Sequence, residues 1–497
     1  MAKTLDSSRE VIPPRTHLLI DLDEGDDTEE LTMLFHLADD TRANVTKVEI
    51  QSCSEEAEDW VDDDWMSLLF SCLGELENLE QLRINLGGMS LPVRLLAHVM
   101  NQSLKLQMLC VDSVSLLLTN GGDEDGGFEA LSQAVRGHAS LACVCLSDIQ
   151  VDNRQPTDSV TAAQDSAASS SLEPFLVSLA MECPDSMRIL ELEDVPVSAV
   201  ALTAMASSPY LRQLELWDIP SVNDTIADFA SCLTNNRSLE KLELCQCNLG
   251  PLAAQELTLM LQNNNHALRQ VLLDIDWGTS VMFAKPIASI LRNNQRLTDL
   301  HLICRQEQEQ HWENTSLDNN TANNSWSSPK DKQKQQQQEQ QLPCTSHDQS
   351  YSAEAYAEII CHQGIARNTT LKRFGLEFRQ PRRYRNDNSR LAKAFTEPLW
   401  QALSQSNRTV LEEFSVMGGH SVTPIEWGGT VAFFLGLNRG GLRQKWLSNG
   451  TTRTTRNSLT WMVDTLQRHS ADLSTLFYLL SVHPHLLPLG TAAACDV

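Results

Sequence analysis

The chain has 497 residues and a formal net charge of −27, an excess of negative charge that opposes binding to nucleic-acid phosphates. It is too long for one compact core, so we expect several domains or a repeat array. Hydrophobic residues make up 41% of the chain, which excludes global disorder.

The N-terminal segment predicts a cap for the structure that follows. Residues 1–15 lack the apolar stretch of a secretory signal, and we expect them to be disordered. Leu18–Ile20 has the composition of a strand, and Thr28–Ala38 has apolar residues on one helical face. Residues 16–44 are therefore interpreted as an N-terminal cap.

A pattern of the form L-x-x-L-x-L, or a close variant, dominates the rest of the chain. Its eleven copies begin at Val45, Leu79, Leu106, Leu141, Met187, Leu211, Leu239, Leu268, Leu297, Leu371 and Leu411. Four consecutive copies, from Leu211 to Leu297, are spaced by 28, 29 and 29 residues. A single repeat of this kind cannot bury its leucine face, so neighbouring repeats are expected to stack into a parallel sheet.

The segments between the predicted strands have the pattern of helices. After Leu244, the residues Leu252, Leu257 and Leu261 recur at helical spacing. Asparagines then recur at 235–236, 263–265 and 293–294. We interpret these asparagines as turns with left-handed backbone at helix ends.

Two spacings are too long for one repeat and predict insertions. A Ser/Ala-rich segment covers about 150–171, and a Gln/Asn-rich segment covers about 305–350. The second is expected to be disordered, either as an inert loop or as a site of self-association. The repeats are therefore placed at 45–304 and 351–420. Residues 421–497 are predicted to form a helical C-terminal cap, with a separate docking module as the alternative.

The repeats resemble leucine-rich-repeat proteins of the ribonuclease-inhibitor type over roughly 45–300 and 351–420. The tail L-N-R-G-G-L-R-Q-K-W-L, followed by W-M-V-D-T-L and L-F-Y-L-L-S-V-H-P-H-L, is similar to the C-terminal segment of uncharacterised leucine-rich-repeat proteins of diatoms. The resemblance implies an α/β solenoid, shaped as a horseshoe with an inner parallel sheet and outer helices. It implies no catalytic residue.

The thirteen cysteines sit at repeat positions and predict buried structural thiols in a reducing compartment. Two C-x-C pairs, Cys143/Cys145 and Cys245/Cys247, place two thiols on one face of a strand. No further pair with zinc-ligand spacing accompanies them, so no metal site is predicted. The chain also lacks a P-loop, an H-E-x-x-H helix and a nucleophile elbow. We therefore expect a protein without catalytic activity or cofactor.

An acidic patch is the candidate binding site. Glu191, Glu215 and Glu243 occupy the fifth position of three successive repeats, which predicts side chains about 5 Å apart on adjacent strands. A cationic partner would relieve their repulsion, and a nearby tryptophan is a typical interface anchor. The predicted patch consists of Glu191, Glu193, Glu215, Trp217, Asp218 and Glu243. The alternative is that these are ordinary solvated positions.

The sequence therefore predicts an interaction scaffold that binds a protein partner, possessing a basic surface, through its concave face. Two alternatives stay open: a GTPase activator of the Ran GTPase-activating type, and a ubiquitin-ligase substrate receptor. No stretch of about 18 apolar residues occurs, so no membrane association is expected. The predicted location is the cytoplasm, with the nucleus as the alternative, and the oligomeric state stays open.

Overall fold

The structure is a computed structural model, and it divides into two compact units, Met1–Asp274 and Ile275–Val497. It describes residues 17–22, 44–52, 63–118, 127–152, 172–183, 186–263, 266–276, 284–305, 353–379, 388–405, 411–418, 427 and 429–439.

The first unit is built from parallel strands that pair in chain order. The strands are β1 (His17–Asp21), β2 (Lys47–Gln51), β3 (Gln81–Asn85), β4 (Ser90–Pro92), β5 (Met108–Leu117), β6 (Cys143–Asp152), β7 (Ile189–Glu193), β8 (Gln213–Trp217), β9 (Lys241–Leu249) and β10 (Gln270–Asp276). Their order is β1-β2-β3-β5-β6-β7-β8-β9-β10, and the short β4 pairs with β5 as well. The boundary between the two units falls inside β10.

Helices connect these strands and pack on one another in the same chain order. The helices of the first unit are α1 (Asp63–Gly74), α2 (Val93–Gln102), α3 (Gly127–Gly137), α4 (Glu173–Met181), α5 (Ala199–Ser207), α6 (Ser221–Asp224), α7 (Ile226–Asn235) and α8 (Pro251–Gln262). Strands and helices thus form two layers, as expected when parallel strands need helical crossovers.

The second unit repeats this plan on a smaller scale. Its strands β11 (Asp299–Arg305), β12 (Arg373–Arg379) and β13 (Glu413–Gly418) pair in parallel. Its helices are α9 (Ala284–Asn293), α10 (Ala353–Glu358), α11 (Asn388–Gln405) and α12 (Gly429–Arg439), and a π-helical turn (Ile359–Gly364) and a 3₁₀ turn (Ile365–Arg367) follow α10.

Each of the eleven predicted leucine patterns coincides with a strand, so the predicted α/β class with parallel strands and intervening helices is confirmed. The leucines of successive repeats align in register: Leu192 pairs with Leu216, and Leu216 pairs with Leu244. All three are at most 1% exposed. Burying one leucine side chain contributes about 1.5–3 kcal/mol, so the aligned leucines are a main source of stability.

Helix α8 forms where the leucine spacing predicts a helix, but its three leucines do not share one face. Leu257 and Leu261 are fully buried, whereas Leu252 is 76% exposed. Leu252 precedes Leu257 by five residues, and positions five apart point in different directions on a helix. The buried neighbours of Leu257 on the same face are Ala253 and Ala254.

The interpretation of the asparagines as left-handed turns is wrong for Asn236, whose φ of −67° is ordinary. Its carboxamide is instead a bridge between repeats. The Nδ2 atom donates to the carbonyls of Ala206 and Ser208 at 2.9 and 3.0 Å, and the Oδ1 atom accepts from the amides of Ser238 and Leu239, both at 2.8 Å. The asparagine therefore satisfies backbone groups that helix ends leave without partners.

The same position carries a polar residue in other repeats, three residues before the first leucine. Asn294 and Asn368 each accept two backbone amides two and three residues further along, at 2.6–2.9 Å. Ser208 does the same through its hydroxyl, at 3.2–3.3 Å. In these repeats the side chain at this position holds the turn that leads from the helix into the next strand.

Left-handed backbone occurs instead within strands or directly after them, and it includes one asparagine, Asn248 on β9, with a φ of 52°. Ser113, Asp148, Asp194, Asp218 and Gln246 have φ between 48° and 56°. Each follows the last residue of an aligned set on β5 to β9. Aspartate tolerates this conformation better than most residues because its short side chain forms local hydrogen bonds.

His138 stands at the position equivalent to Asn236 and gives a pH-dependent contribution to stability. Its side chain is buried, and Nε2 donates to the Ser103 carbonyl at 2.9 Å. Burial lowers its pKa below the ordinary 6.5. As the pH falls through 6.5, the unfolded chain therefore takes up a proton that the native state does not bind, and stability decreases.

We expect His138→Asn to reduce this loss, because asparagine forms the equivalent bond to Ser208 at position 236 without titrating. Urea unfolding of both proteins between pH 7.5 and 5 measures the difference. A pH dependence identical in the two proteins would contradict this role for His138.

Several predicted features lie outside the described residues. They are the N-terminal segment 1–15, the cap helix at 28–38, nearly all of the two insertions, and the C-terminal cap beyond 439. Among the helices that are described, none combines the length and the apolar character that crossing a bilayer requires.

Candidate binding surface on strands β7 to β9

The three glutamates predicted to share a face lie in register on adjacent strands. Glu191 on β7 pairs with Glu215 on β8, which pairs with Glu243 on β9. Neighbouring strands are about 4.8 Å apart. The carboxylates alternate along each strand with the buried leucines, so they line the opposite face of the sheet. The side chains of Glu215 and Glu243 are only 14% and 15% exposed.

A second row, two residues further along the strands, contains Glu193 and Trp217 in register. Glu193 is exposed, and it accepts a hydrogen bond from the Ser147 hydroxyl at 3.3 Å. Trp217 is half-buried, and its neighbour on β9 is the buried Cys245. The indole therefore contributes an accessible apolar surface beside the carboxylates.

Asp218 is exposed at the end of β8, as the predicted patch requires. The backbone conformation also favours an aspartate at this position. The φ of Asp218 is 53°, and its amide donates to the Cys245 carbonyl at 2.9 Å. A residue that tolerates left-handed backbone is needed here whether or not a partner binds.

Lys241 on β9 lies on the same face as Glu243, two residues before it, and contacts the glutamates. Its Nζ atom lies 2.5 Å from Glu215 Oε1 and 2.8 Å from Glu243 Oε1. Gln213, the register neighbour of Lys241, donates from Nε2 to the same Glu215 oxygen at 2.7 Å. The ammonium group of Lys241 therefore reduces the repulsion between the Glu215 and Glu243 carboxylates.

The environment of Lys241 keeps its ammonium group charged. Burial on its own lowers the pKa of Lys241, but the hydrogen bonds to Glu215 and Glu243 outweigh it, and the pKa is raised. The sequence signal was present, since Lys241 and Glu243 are two apart on one strand and must share a face. The patch as a whole has five carboxylates and one ammonium group, and stays strongly acidic.

The row of glutamates on β7, β8 and β9 is extended by cysteines on the two preceding strands, β6 and β5. Cys145 on β6 is the register neighbour of Glu191, and Cys110 on β5 is the register neighbour of Cys145. The Cys145 thiol donates to Glu191 Oε2 at 3.2 Å, and its sulfur lies 3.6 Å from that of Cys143. The buried cysteine pair on β9 behaves as the sequence predicted: Cys245 and Cys247 are at most 2% exposed.

The pKa values of the Cys110 and Cys145 thiols are raised, which favours the protonated form. The hydrogen bond with Cys145, followed by burial, raises the pKa of Cys110. The Cys110 hydrogen bond lowers the pKa of Cys145, but the bond with Cys143, burial and the charge of Glu191 outweigh it and raise the pKa. An adjacent carboxylate and low exposure both disfavour a thiolate.

No protein-family model matches the chain, and no curated protein matches its sequence.

Proposed function

We propose that this protein is a non-catalytic interaction scaffold that binds a protein partner with a basic surface through the acidic face of β7, β8 and β9. Its architecture is that of a horseshoe-shaped solenoid of ribonuclease-inhibitor-type leucine-rich repeats. The observation that carries the proposal is the register of the patch: carboxylates from three strands and one indole lie on a single face.

The chemistry of this face fits a cationic ligand. Lysine and arginine side chains of a partner would meet Glu193 and Asp218 first, because both are exposed. They would then compete with Lys241 for the less accessible Glu215 and Glu243. Complementary charge of this kind accelerates encounter and selects the partner, whereas a buried aromatic anchor supplies much of the affinity.

The test is the affinity for a partner recovered by affinity capture with the full-length wild-type chain. In the variant Trp217→Ala/Glu215→Lys we expect binding to weaken by at least about 30-fold, since loss of one interface anchor costs about 2 kcal/mol. The matched control is Asp228→Lys, which makes the same charge change at an exposed position on α7. Unchanged affinity in the double variant, or an equal loss in the control, would contradict the proposal.

Lys241 provides a test with the opposite sign. Replacing Lys241 with methionine removes the internal cation and keeps most of the side-chain volume. We expect the affinity for the same basic partner to rise, because Glu215 and Glu243 become available to it. A weaker complex would mean that Lys241 itself contacts the partner. The partner would then not recognise this surface through its negative charge.

A further inference from the structure

The strongest chemical cluster in the first unit lies beside the acidic patch. One ligand atom from each of Cys143, Cys145 and Glu191 lies within 4.8 Å of the other two. Among the described residues this is the set of cysteines, histidines and acids that meets that criterion. Cys110, which hydrogen-bonds to Cys145 from the next strand, adds a further thiol at the edge of the cluster.

Two of the separations among these atoms are close to the edges of a coordination tetrahedron. Zinc–sulfur bonds of about 2.3 Å and zinc–oxygen bonds of about 2.0 Å place two sulfurs about 3.8 Å apart and a sulfur and an oxygen about 3.5 Å apart. The observed separations are 3.6 Å for Cys143 and Cys145, and 3.2 Å for Cys145 and Glu191. A small adjustment of side chains would seat an ion among them.

The fold explains why these residues meet. Cys143 and Cys145 are two apart on β6, so both point to the same face of the sheet. Register then places Glu191 beside Cys145 on one side and Cys110 beside it on the other. Two adjacent strands, β6 and β7, therefore supply the three ligands, and a strand is a rigid support for a metal site.

We propose that Cys143, Cys145 and Glu191 form a three-ligand binding site for a thiophilic divalent cation of the zinc class, with solvent at the fourth position. Two sulfur ligands favour zinc over calcium or magnesium, which prefer oxygen. Binding releases the thiol protons to solvent and leaves the thiolates coordinated to the ion, because the thiolate is the ligand form. Cys143 is 5% exposed and the other ligands are half-buried, which leaves an entry route from the solvent face.

The proposed metal site shares Glu191 with the acidic patch, but it does not require that a partner binds there. An ion held there would withdraw the Glu191 carboxylate from the acidic patch and reduce its negative charge. The test is therefore made on the chain alone, without any partner, so that the outcome does not depend on whether the scaffold proposal is correct.

The experiment is a titration of the full-length, reduced and chelator-treated protein with Co²⁺ alone, followed by displacement with Zn²⁺. We expect one strong equivalent with thiolate-to-cobalt charge-transfer absorption and the visible bands of a tetrahedral site. In Cys145→Ser we expect the affinity of that equivalent to fall by roughly 100-fold or more, because a ligand is lost. In Glu191→Gln the charge-transfer absorption should persist with an affinity reduced by roughly tenfold.

Cys232→Ser is the matched control, since Cys232 is a half-buried cysteine on α7 outside the cluster. It should bind Co²⁺ as the wild type does, and circular dichroism should show that all variants are folded. If Cys145→Ser does not fold, Cys143→Ser and Glu191→Gln carry the comparison. The proposal is overturned if the wild type binds no stoichiometric Co²⁺, if its spectrum lacks thiolate bands, or if the cluster variants bind as the control does.

Discussion

Replacing Asn236 with alanine is expected to lower the free energy of unfolding by about 2–4 kcal/mol, because buried backbone groups left without hydrogen bonds are costly. The Ala206 carbonyl and the amides of Ser238 and Leu239 lose their partner at once, and the Ser208 carbonyl keeps only the bond from the Ser238 hydroxyl at 2.6 Å. Urea unfolding at fixed pH measures the change, with the midpoint and the slope both recorded because repeat proteins can depart from two-state behaviour.

Asn235 supplies the matched control for that experiment. It is the same residue type one position earlier, and its side chain is exposed with a single long bond of 3.5 Å to the Ser231 carbonyl. Asn235→Ala should change stability by less than about 0.5 kcal/mol. Asn236→Ser should lose less than alanine does, since Ser208 accepts the equivalent amides through its hydroxyl. Equal effects at 235 and 236 would contradict the bridging role.

The second large effect is expected in helix α8. Leu257→Ala should cost about 2–5 kcal/mol, because it removes a fully buried side chain and leaves a cavity. Leu252→Ala on the same helix should change stability by less than about 0.5 kcal/mol, because Leu252 is 76% exposed. Helix propensity changes equally in the two variants, so the difference between them reports burial alone.

Thermal and urea unfolding of both leucine variants give that difference. A cost for Leu252→Ala as large as that for Leu257→Ala would mean that another surface covers Leu252 or that the helix is rotated. Because the sequence alone placed Leu252, Leu257 and Leu261 in one helical series, this pair of variants also separates the sequence interpretation from the structural one.

The repeat pattern predicted the strands because the burial of leucines determines both the sequence spacing and the strand register. Leucines at fixed spacing must be buried by identical neighbours, and this requirement places Leu192, Leu216 and Leu244 in register. The three-residue strand β4 was missed because Ser-Leu-Pro is too short to show an alternation of buried and exposed residues. The π-helical turn Ile359–Gly364 has no sequence signal that distinguishes it from an α-helix.

The conformation of the asparagines was misjudged for a different reason. Asparagine is favoured both by left-handed backbone and by buried hydrogen-bond networks, and the sequence does not separate the two uses. Asn236 serves the second use, and left-handed residues such as Asp194 and Asp218 stand at strand ends. The sequence interpretation placed Asp218 in the binding patch and did not predict its left-handed backbone.

The candidate site was predictable where it depends on register and unpredictable where it depends on side-chain direction. Spacing placed Glu191, Glu215 and Glu243 side by side, but it did not reveal that Lys241 bridges two of them. The cysteine cluster was missed because Cys145 and Glu191 are 46 residues apart, with a long insertion between them. Metal motifs are recognised by short spacings, and Glu191 comes from a different strand than the two cysteines.

The central claim is that residues one repeat apart lie side by side on adjacent strands. A pair of histidines at Glu215 and Glu243 tests it, in a Cys145→Ser background that keeps the cysteine cluster out of the measurement. Register neighbours can chelate Ni²⁺, which should raise the free energy of unfolding by about 2.7 kcal/mol at a free concentration 100-fold above the dissociation constant. The control pair, Glu215→His with Gln246→His, should gain nothing, because Gln246 lies three residues, or about 10 Å, further along β9. Equal stabilisation of both pairs, or none in the Glu215/Glu243 pair, would contradict the register.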